Sequence, residues 1–222
     1  MRYIVVTGGP LTDEAAKIIK ELSDSAEDKV IIACDGGCDI LAHHGIVPDI
    51  VVGDMDSISE DALKFIESNN IFTEKYPVEK DQTDSEIALE KTEGPDVFLI
   101  TPFGGRTDHL LANIQLVLGL RQKGRKVTVT DGLTYCYPLY GEDSIEIDIS
   151  RFDKPLSVSL IPWDFSEPVK GVTTEGLYYP LKDQDLTAGT TFSFSNHPTE
   201  KNGSISISIR AGLLLVTLTI VN

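Results

Sequence analysis

Apolar and polar positions follow two different periods in this chain, and the point where the period changes divides it. Over roughly the first 131 residues, short apolar runs recur between stretches of helical spacing. The runs at 3–7, 30–34, 50–53, 72–75, 97–101 and 127–131 read as strands. Most are continuous rather than alternating, the mark of a strand covered on both faces. Between them, residues 12–22 carry apolar positions at helical spacing behind Thr12, a candidate N-cap. Ser57-Ile58-Ser59-Glu60 and Thr83-Asp84-Ser85-Glu86 both fit the capping box. They predict helices over about 61–69, with Ser57 as cap, and over 85–91. A longer helix is expected at 108–123, with Leu111, Ile114, Val117 and Leu118 on its apolar face and Gly124 at its end. Strands separated by helices predict an α/β fold: a Rossmann-like parallel sheet with helices on both faces.

From about Leu133 the helical period is lost. Short alternating runs at 144–149, 156–161, 169–174, 177–181, 190–195, 204–210 and 213–221 replace it. Ser204–Ile209 alternates Ser and Ile strictly, so one face is buried and the other wet. A C-terminal antiparallel β-sandwich is expected, giving domains at 1–132 and 143–222 with the junction between them.

Composition narrows the function. The chain has 222 residues and a formal net charge of −16, which argues against nucleic acid as a partner. No apolar stretch reaches the roughly 18 residues of a membrane span, so no membrane association is expected. The N-terminus reads as a first strand rather than a signal peptide. Three cysteines, Cys34, Cys38 and Cys136, form no disulfide framework and suit a cytoplasmic protein with free thiols.

The candidate chemistry sits where the predicted strands end. Residues 30–34 run into Asp35-Gly36-Gly37, residues 50–52 into Gly53-Asp54-Met55-Asp56-Ser57, and residues 97–103 into Gly104-Gly105-Arg106-Thr107-Asp108. Lys80-Asp81-Gln82-Thr83-Asp84 lies between the last two. Parallel strands share one carboxyl edge, where ligands bind. At least five aspartates would therefore meet in one crevice, which is unfavourable without a cation. Oxygen ligands suit a hard cation such as Mg²⁺, bridging carboxylates to phosphates. An Asp-x-Asp turn alone is as often a plain turn; its companions give it weight. Lys80 and Arg106 are the cations within these clusters, and Asp84 could hold metal or accept a hydroxyl proton. No P-loop and no Gly-x-Gly-x-x-Gly run is present.

In this order the loops resemble the thiamine pyrophosphokinase family, through Asp35-Gly36-Gly37, Gly53-Asp54-Met55-Asp56-Ser57, Lys80-Asp81-Gln82-Thr83-Asp84 and Gly104-Gly105-Arg106-Thr107-Asp108-His109 with Asn113. The likeness continues through Gly171–Leu177 (171–177), Tyr179-Pro180-Leu181 and Ser195-Asn196. The resemblance implies Mg²⁺-dependent transfer of pyrophosphate from ATP to thiamine, with release of AMP. It implies a homodimer with active sites between subunits. It implies catalytic roles for Asp54, Asp56, Asp84 and Arg106, the three acids being metal-linked. Nucleotide contacts would come from Asp35, Gly36, Gly37, Lys80, Gln82, Thr83, Gly104, Gly105, Arg106 and Asp108. Thiamine contacts would come from Asp84, Tyr179, Ser195 and Asn196. The alternatives are another metal-dependent nucleotide or nucleotide-sugar transferase, and a non-catalytic thiamine- or nucleotide-binding module.

Overall fold

The computed structural model describes residues 1–221, in two compact units. The first comprises residues 1–117 and 125–133, the second residues 118–124 and the chain from 134 onward. Helix α5 (Thr107–Gln122) thus contributes its last turn to the second unit.

In the first unit six strands alternate with helices: β1 (Arg2–Val6), α1 (Asp13–Asp24), β2 (Lys29–Cys34), α2 (Gly37–His43), β3 (Ile50–Gly53), α3 (Glu60–Ser68), β4 (Phe72–Lys75), α4 (Asp84–Glu90), β5 (Val97–Ile100), α5 and β6 (Val127–Thr130). All pair in parallel, in the order β4-β3-β2-β1-β5-β6. Ile4, Val5 and Val6 are fully buried in succession. Successive strand side chains point to opposite faces, so both faces of the sheet are covered. This is why the central strands read as continuous apolar runs.

Helix entry follows local chemistry. Thr83 Oγ1 accepts from the Glu86 N–H (3.2 Å), as the capping-box reading requires. At α3 the cap is Ser59, whose Oγ accepts from the Ala62 N–H (3.2 Å), and not Ser57. Ser57 Oγ instead donates to Asp56 Oδ1 (2.8 Å). Thr12 occupies the N-cap of α1 without a side-chain bond. On α5 the expected apolar face loses Leu111, which is 52% exposed, while Ile114, Val117 and Leu118 are buried.

The second unit holds two antiparallel sheets. In one, β13 (Leu213–Ile220) pairs with β7 (Thr134–Tyr140) and β9 (Leu156–Pro162). The other has the order β11-β10-β12-β8, from Gln184–Leu186, Val169–Glu175, Ser204–Ile209 and Asp143–Asp148. Ile205, Ile207 and Ile209 are buried, as the Ser-Ile alternation demands. Arg121 on the last turn of α5 ion-pairs with Asp143 at the start of β8. β7 and β11 are strands that the sequence pattern did not reveal. Residues 177–181 and 190–195 are not strands. The first has only the bridge Leu177↔Pro198. The second follows β9 through isolated bonds, Leu160 N–H to Ser193 O (2.9 Å) and the Val158↔Asn196 bridge. Ser195, left-handed at φ +56°, breaks any ladder there.

Gly37 opens α2 directly against β1: a Cβ there would overlap the carbonyl of Val6, a backbone atom with nowhere to move. Gly37→Ala is therefore expected to destabilise the fold by about 1–3 kcal/mol through overpacking, read as a lower denaturant midpoint at unchanged slope.

Candidate active site

The parallel register brings the carboxyl ends of β1, β2, β3 and β5 to one edge of the first unit. A cleft of about 630 Å³ opens there, lined only by residues of that unit. Asp35, Gly36, Lys80, Gln82, Thr83 and Asp84 line one part of it, and Gly104 and Arg106 another. Gly37 lies behind Gly36 as the first, buried residue of α2. Gly105, at φ +82°, faces Pro10 of the loop after β1.

Two unusual backbone conformations aim the acids. Asp35 follows β2 at φ +46°, and Met55 separates Asp54 from Asp56 at φ +71°. Non-glycine residues rarely adopt this region, and here both instances flank the same carboxylates. Gly53, at φ +147°, lies under Asp35; a Cβ there would stand 2.9 Å from Asp35 Cβ. Asp54 Oδ1 accepts from the Asp56 N–H (3.0 Å), closing an Asx turn. As a result, carboxylate oxygens of Asp35, Asp54 and Asp56 all lie within 4.8 Å of one another. The expected crevice of strand-end aspartates included Asp35, but the family resemblance links Asp54 and Asp56 with Asp84 and places Asp35 among the nucleotide contacts. The side-chain direction that brings Asp35 in comes from its left-handed backbone.

Three carboxylates this close repel by about 3–4 kcal/mol per ionised pair at an effective dielectric near 20. Burial, with the charges of Asp54, Asp84 and Asp56, pushes the Asp35 carboxyl up, and a hydrogen bond from Ser57 opposes the rise. Asp54 is held below the usual range, first by the Asp56 N–H and also by Lys80 and Lys75. Lys80 Nζ stands 3.1 Å from Asp84 Oδ1 and 3.9 Å from Asp54 Oδ2, with its side chain only 16% exposed. It is the ammonium that joins Asp84 to the acid cluster. Asp35 Oδ1 is buried with no hydrogen-bond partner among the described residues. Such an atom is costly unless a ligand meets it.

Arg106 and Asp108 sit at the rim. Arg106 grips Asp108 through two N–H donors (3.2 and 2.6 Å), and both side chains are exposed. This pair holds the Asp108 carboxyl down to about 2. Lining residues that the sequence did not single out include Thr7, Asp39 and Thr101, while Asn113, quoted with the Gly104–His109 motif, lines the cleft beside them.

The remaining expected contacts belong to the second unit. Asn196 clamps Tyr179 from both sides: its Oδ1 accepts from the Tyr179 N–H (3.1 Å) and its Nδ2 donates to the Tyr179 carbonyl (2.8 Å). The amide of Asn196 is thus committed to the backbone, while the Tyr179 side chain is 64% exposed. Ser195 precedes the clamp, its N–H donating to Ser159 Oγ (3.1 Å). Tyr178 stacks on His197 with ring centroids 4.8 Å apart.

Comparison with known proteins places both parts of the chain in one family. Residues 22–129 match the family model described as thiamin pyrophosphokinase, catalytic domain, and residues 144–214 match thiamin pyrophosphokinase, vitamin B1 binding domain. A thiamine pyrophosphokinase of Bacillus subtilis (strain 168) is 32% identical over 216 residues, 96% of this chain and 95% of that protein. A crystal structure of thiamine pyrophosphokinase from Bacillus subtilis covers 100% of both chains with a TM-score of 0.82 at 27% identity. One from Geobacillus thermodenitrificans gives 0.78 at 27% identity, over 100% of this chain and 98% of that one. The Candida albicans thiamin pyrophosphokinase shares the fold, at 15% identity and a TM-score of 0.79 over 99% and 90% of the two chains. With two family models matched in sequence order and a 32%-identical relative aligned over nearly its whole length, the chain belongs to the thiamine pyrophosphokinase family and is an enzyme, a transferase.

Proposed function

We propose that this enzyme binds ATP with Mg²⁺ in the acid-lined cleft and transfers pyrophosphate to the hydroxyl of thiamine, releasing AMP. The observation that carries this reading is the gathering of Asp35, Asp54 and Asp56 oxygens within 4.8 Å, with Asp35 Oδ1 buried and unpartnered. A compact set of carboxylate oxygens fits a hard cation. Bound there, Mg²⁺ would neutralise phosphate oxygens and carboxylates together.

The chain's own groups supply the rest. Asp54 and Asp56 would hold the metal, with Asp35 in the third place that the family resemblance gives to Asp84. Lys80 leaves its acids for the phosphates, and Arg106 meets the same chain of oxygens from the rim. Gly36, Gly37, Gln82, Thr83, Gly104 and Gly105 bring backbone and small polar groups close to the nucleotide. Asp84 receives the hydroxyl proton. The thiamine oxygen bonds to the β-phosphorus, the bond from that phosphorus to the α,β-bridging oxygen breaks, and AMP leaves with that oxygen. Tyr179 offers an aromatic face to cationic thiamine. Ser195 lies beside it, and Asn196 fixes the Tyr179 backbone. The acting unit is a homodimer, with nucleotide residues from one subunit and Tyr179 from its partner. We assign the enzyme to the cytoplasm, in keeping with three buried free thiols.

The direct experiment incubates the protein with thiamine, ATP and Mg²⁺ and separates the products. Thiamine-dependent AMP and thiamine diphosphate are expected; AMP no greater than in a control without thiamine rejects the reading. Asp56→Ala should lower kcat/KM about 10²–10³-fold with an unchanged circular dichroism spectrum.

Shared sites predict complementation. Asp56→Ala and Tyr179→Ala proteins, unfolded together and refolded, should recover activity that neither has alone, because a mixed dimer keeps one intact site. No recovery, with mixed dimers shown to form, places each site within one subunit.

The rim pair predicts a titration. By NMR the Asp108 carboxyl should titrate at about 2, below the ordinary aspartate range, because Arg106 stabilises its charged form. Arg106→Gln should move that midpoint upward; an unmoved midpoint would show that Arg106 is not its cause.

A further inference from the structure

One wall of the cleft carries no acids. There the ends of β1 and β5 and one face of α5 present Thr7, Thr101 and Asn113, all buried and all lining the cleft. Their hydrogen bonds can be counted. Thr7 Oγ1 donates to Thr101 Oγ1 (3.0 Å) and also lies 3.5 Å from the Gly8 carbonyl. Asn113 Nδ2 donates to the same Thr101 oxygen (2.9 Å). A hydroxyl oxygen accepts at most two bonds and has one hydrogen of its own. Thr101 Oγ1 is therefore saturated as an acceptor, and its hydrogen has no protein acceptor among the described residues. The same bond fixes the Asn113 amide: with Nδ2 turned to Thr101, Oδ1 is an acceptor that no protein donor meets among the described residues.

The result is a fixed donor beside a fixed acceptor, at residues only 2% and 5% exposed. A buried pair of this kind imposes a large penalty on a ligand that leaves it unmatched. Pro10, Pro102 and Leu110, which line the same part of the cleft, supply flat apolar surface next to it. Its place in the sheet sets the scale of the ligand. β5 is separated from β2 by β1. At about 4.8 Å per strand, Thr101 lies roughly 10 Å from the strand that ends at Asp35. That is the order of the distance from a nucleotide's phosphates to its base.

We propose that Thr101 and Asn113 are specificity-determining residues that read the edge of a 6-aminopurine, Asn113 Oδ1 accepting from the exocyclic amino group and Thr101 O–H donating to the adjacent ring nitrogen. A 6-oxopurine presents its acceptor and donor in the opposite order, so the same pair rejects it. Thr7 is a positioning residue that orients the Thr101 hydroxyl. The inference rests on the reading of the cleft as a nucleotide site, and it goes beyond that reading in naming where and how the base is recognised.

The test is equilibrium binding of ATP, GTP and 2′-deoxy-ATP to the full chain with Mg²⁺ and without thiamine, by titration calorimetry. Steady-state kinetics run alongside. The wild type should bind ATP at least tenfold more tightly than GTP. Thr101→Val and Asn113→Ala should each weaken ATP about tenfold, leave GTP within about threefold, and keep kcat at saturating ATP within about threefold. Thr101→Ser, which restores the hydroxyl, should recover the preference. Equal affinity for ATP and GTP in the wild type overturns the proposal, as does an equal loss for both nucleotides in the variants, the sign of a merely structural role. A variant that loses discrimination against 2′-deoxy-ATP but not against GTP also overturns it, by assigning the pair to a sugar hydroxyl. Because binding is measured without thiamine, a preference for ATP in a protein that forms no AMP would sink the transfer reaction and leave base recognition standing.

Discussion

Mutual repulsion among aspartates at one sheet edge is the constraint around which the first unit is arranged. Asp35, Asp54 and Asp56 meet within 4.8 Å, and Asp84 joins them through Lys80. Nothing in hydrophobic packing asks for this. Each ionised pair opposes folding by an amount comparable with a sizeable share of a domain's net stability. The sheet beneath must absorb that cost, and its fully buried central strands, Ile4–Val6 and their neighbours on β2 and β5, are the part of the chain best able to do so. Lys80 supplies one positive charge where several negative ones face it. The site is therefore short of positive charge, so a ligand that brought a cation would relieve repulsion already present.

The same loops store strain of a second kind. Asp35 and Met55 occupy backbone conformations that side chains disfavour, and Gly53 and Gly37 are places where a Cβ would strike backbone or another acid. Asp35 and Met55 each cost on the order of 1–3 kcal/mol in that conformation, which persists only where the surroundings leave no alternative. The parallel ladder does this by fixing where each strand stops. One residue beyond β2, the chain turns left-handed and its carboxylate faces the ends of β3. Rigid strands thus set the position of loop side chains to within hydrogen-bond tolerances, although loops are ordinarily the variable part of a fold.

How much of this could be read from the sequence depended on how many residues carried each signal. β1, β2 and β5 were legible because strands covered on both faces need unbroken apolar runs. β12 was legible because a sheet with one wet face needs alternation, and Ser204–Ile209 supplies nothing else. β7 was not, because Pro138 sits in its middle without an N–H for the ladder, and Tyr and Cys blur its alternation. β11 is three residues, two of them polar, too few to form a pattern. Residues 190–195 alternate convincingly, yet Ser195 takes a left-handed conformation, a choice made by contacts to Ser159 and Val158 that lie far away in the chain. The site divides in the same way. Its loops were visible as acid–glycine motifs after strands, and their family was recognisable from motif order. The close approach of the Asp35 carboxylate to Asp54 and Asp56, the commitment of Asn196 to the Tyr179 backbone and the capping of α3 by Ser59 rather than Ser57 all turn on side-chain direction. A local pattern specifies which residue stands at a turn, not which way it points.

Thr7, Thr101 and Asn113 show the same limit from the other side. Two threonines at strand ends carry no signal in sequence, Asn113 stands out only as part of a family motif, and nothing in spacing joins residues 7, 101 and 113. They become a unit because β1 and β5 are neighbours and α5 follows β5 immediately. Buried hydroxyls and amides in such a place are tolerated when their bonds close among themselves. Here they do not close: one hydrogen and one carbonyl oxygen are left over, side by side, at the wall of a cleft whose other wall is ionic. An apolar trio of the same volume would have packed there without any desolvation penalty. Retaining polar groups with unmatched ends at that position is sensible only where something from outside the protein matches them.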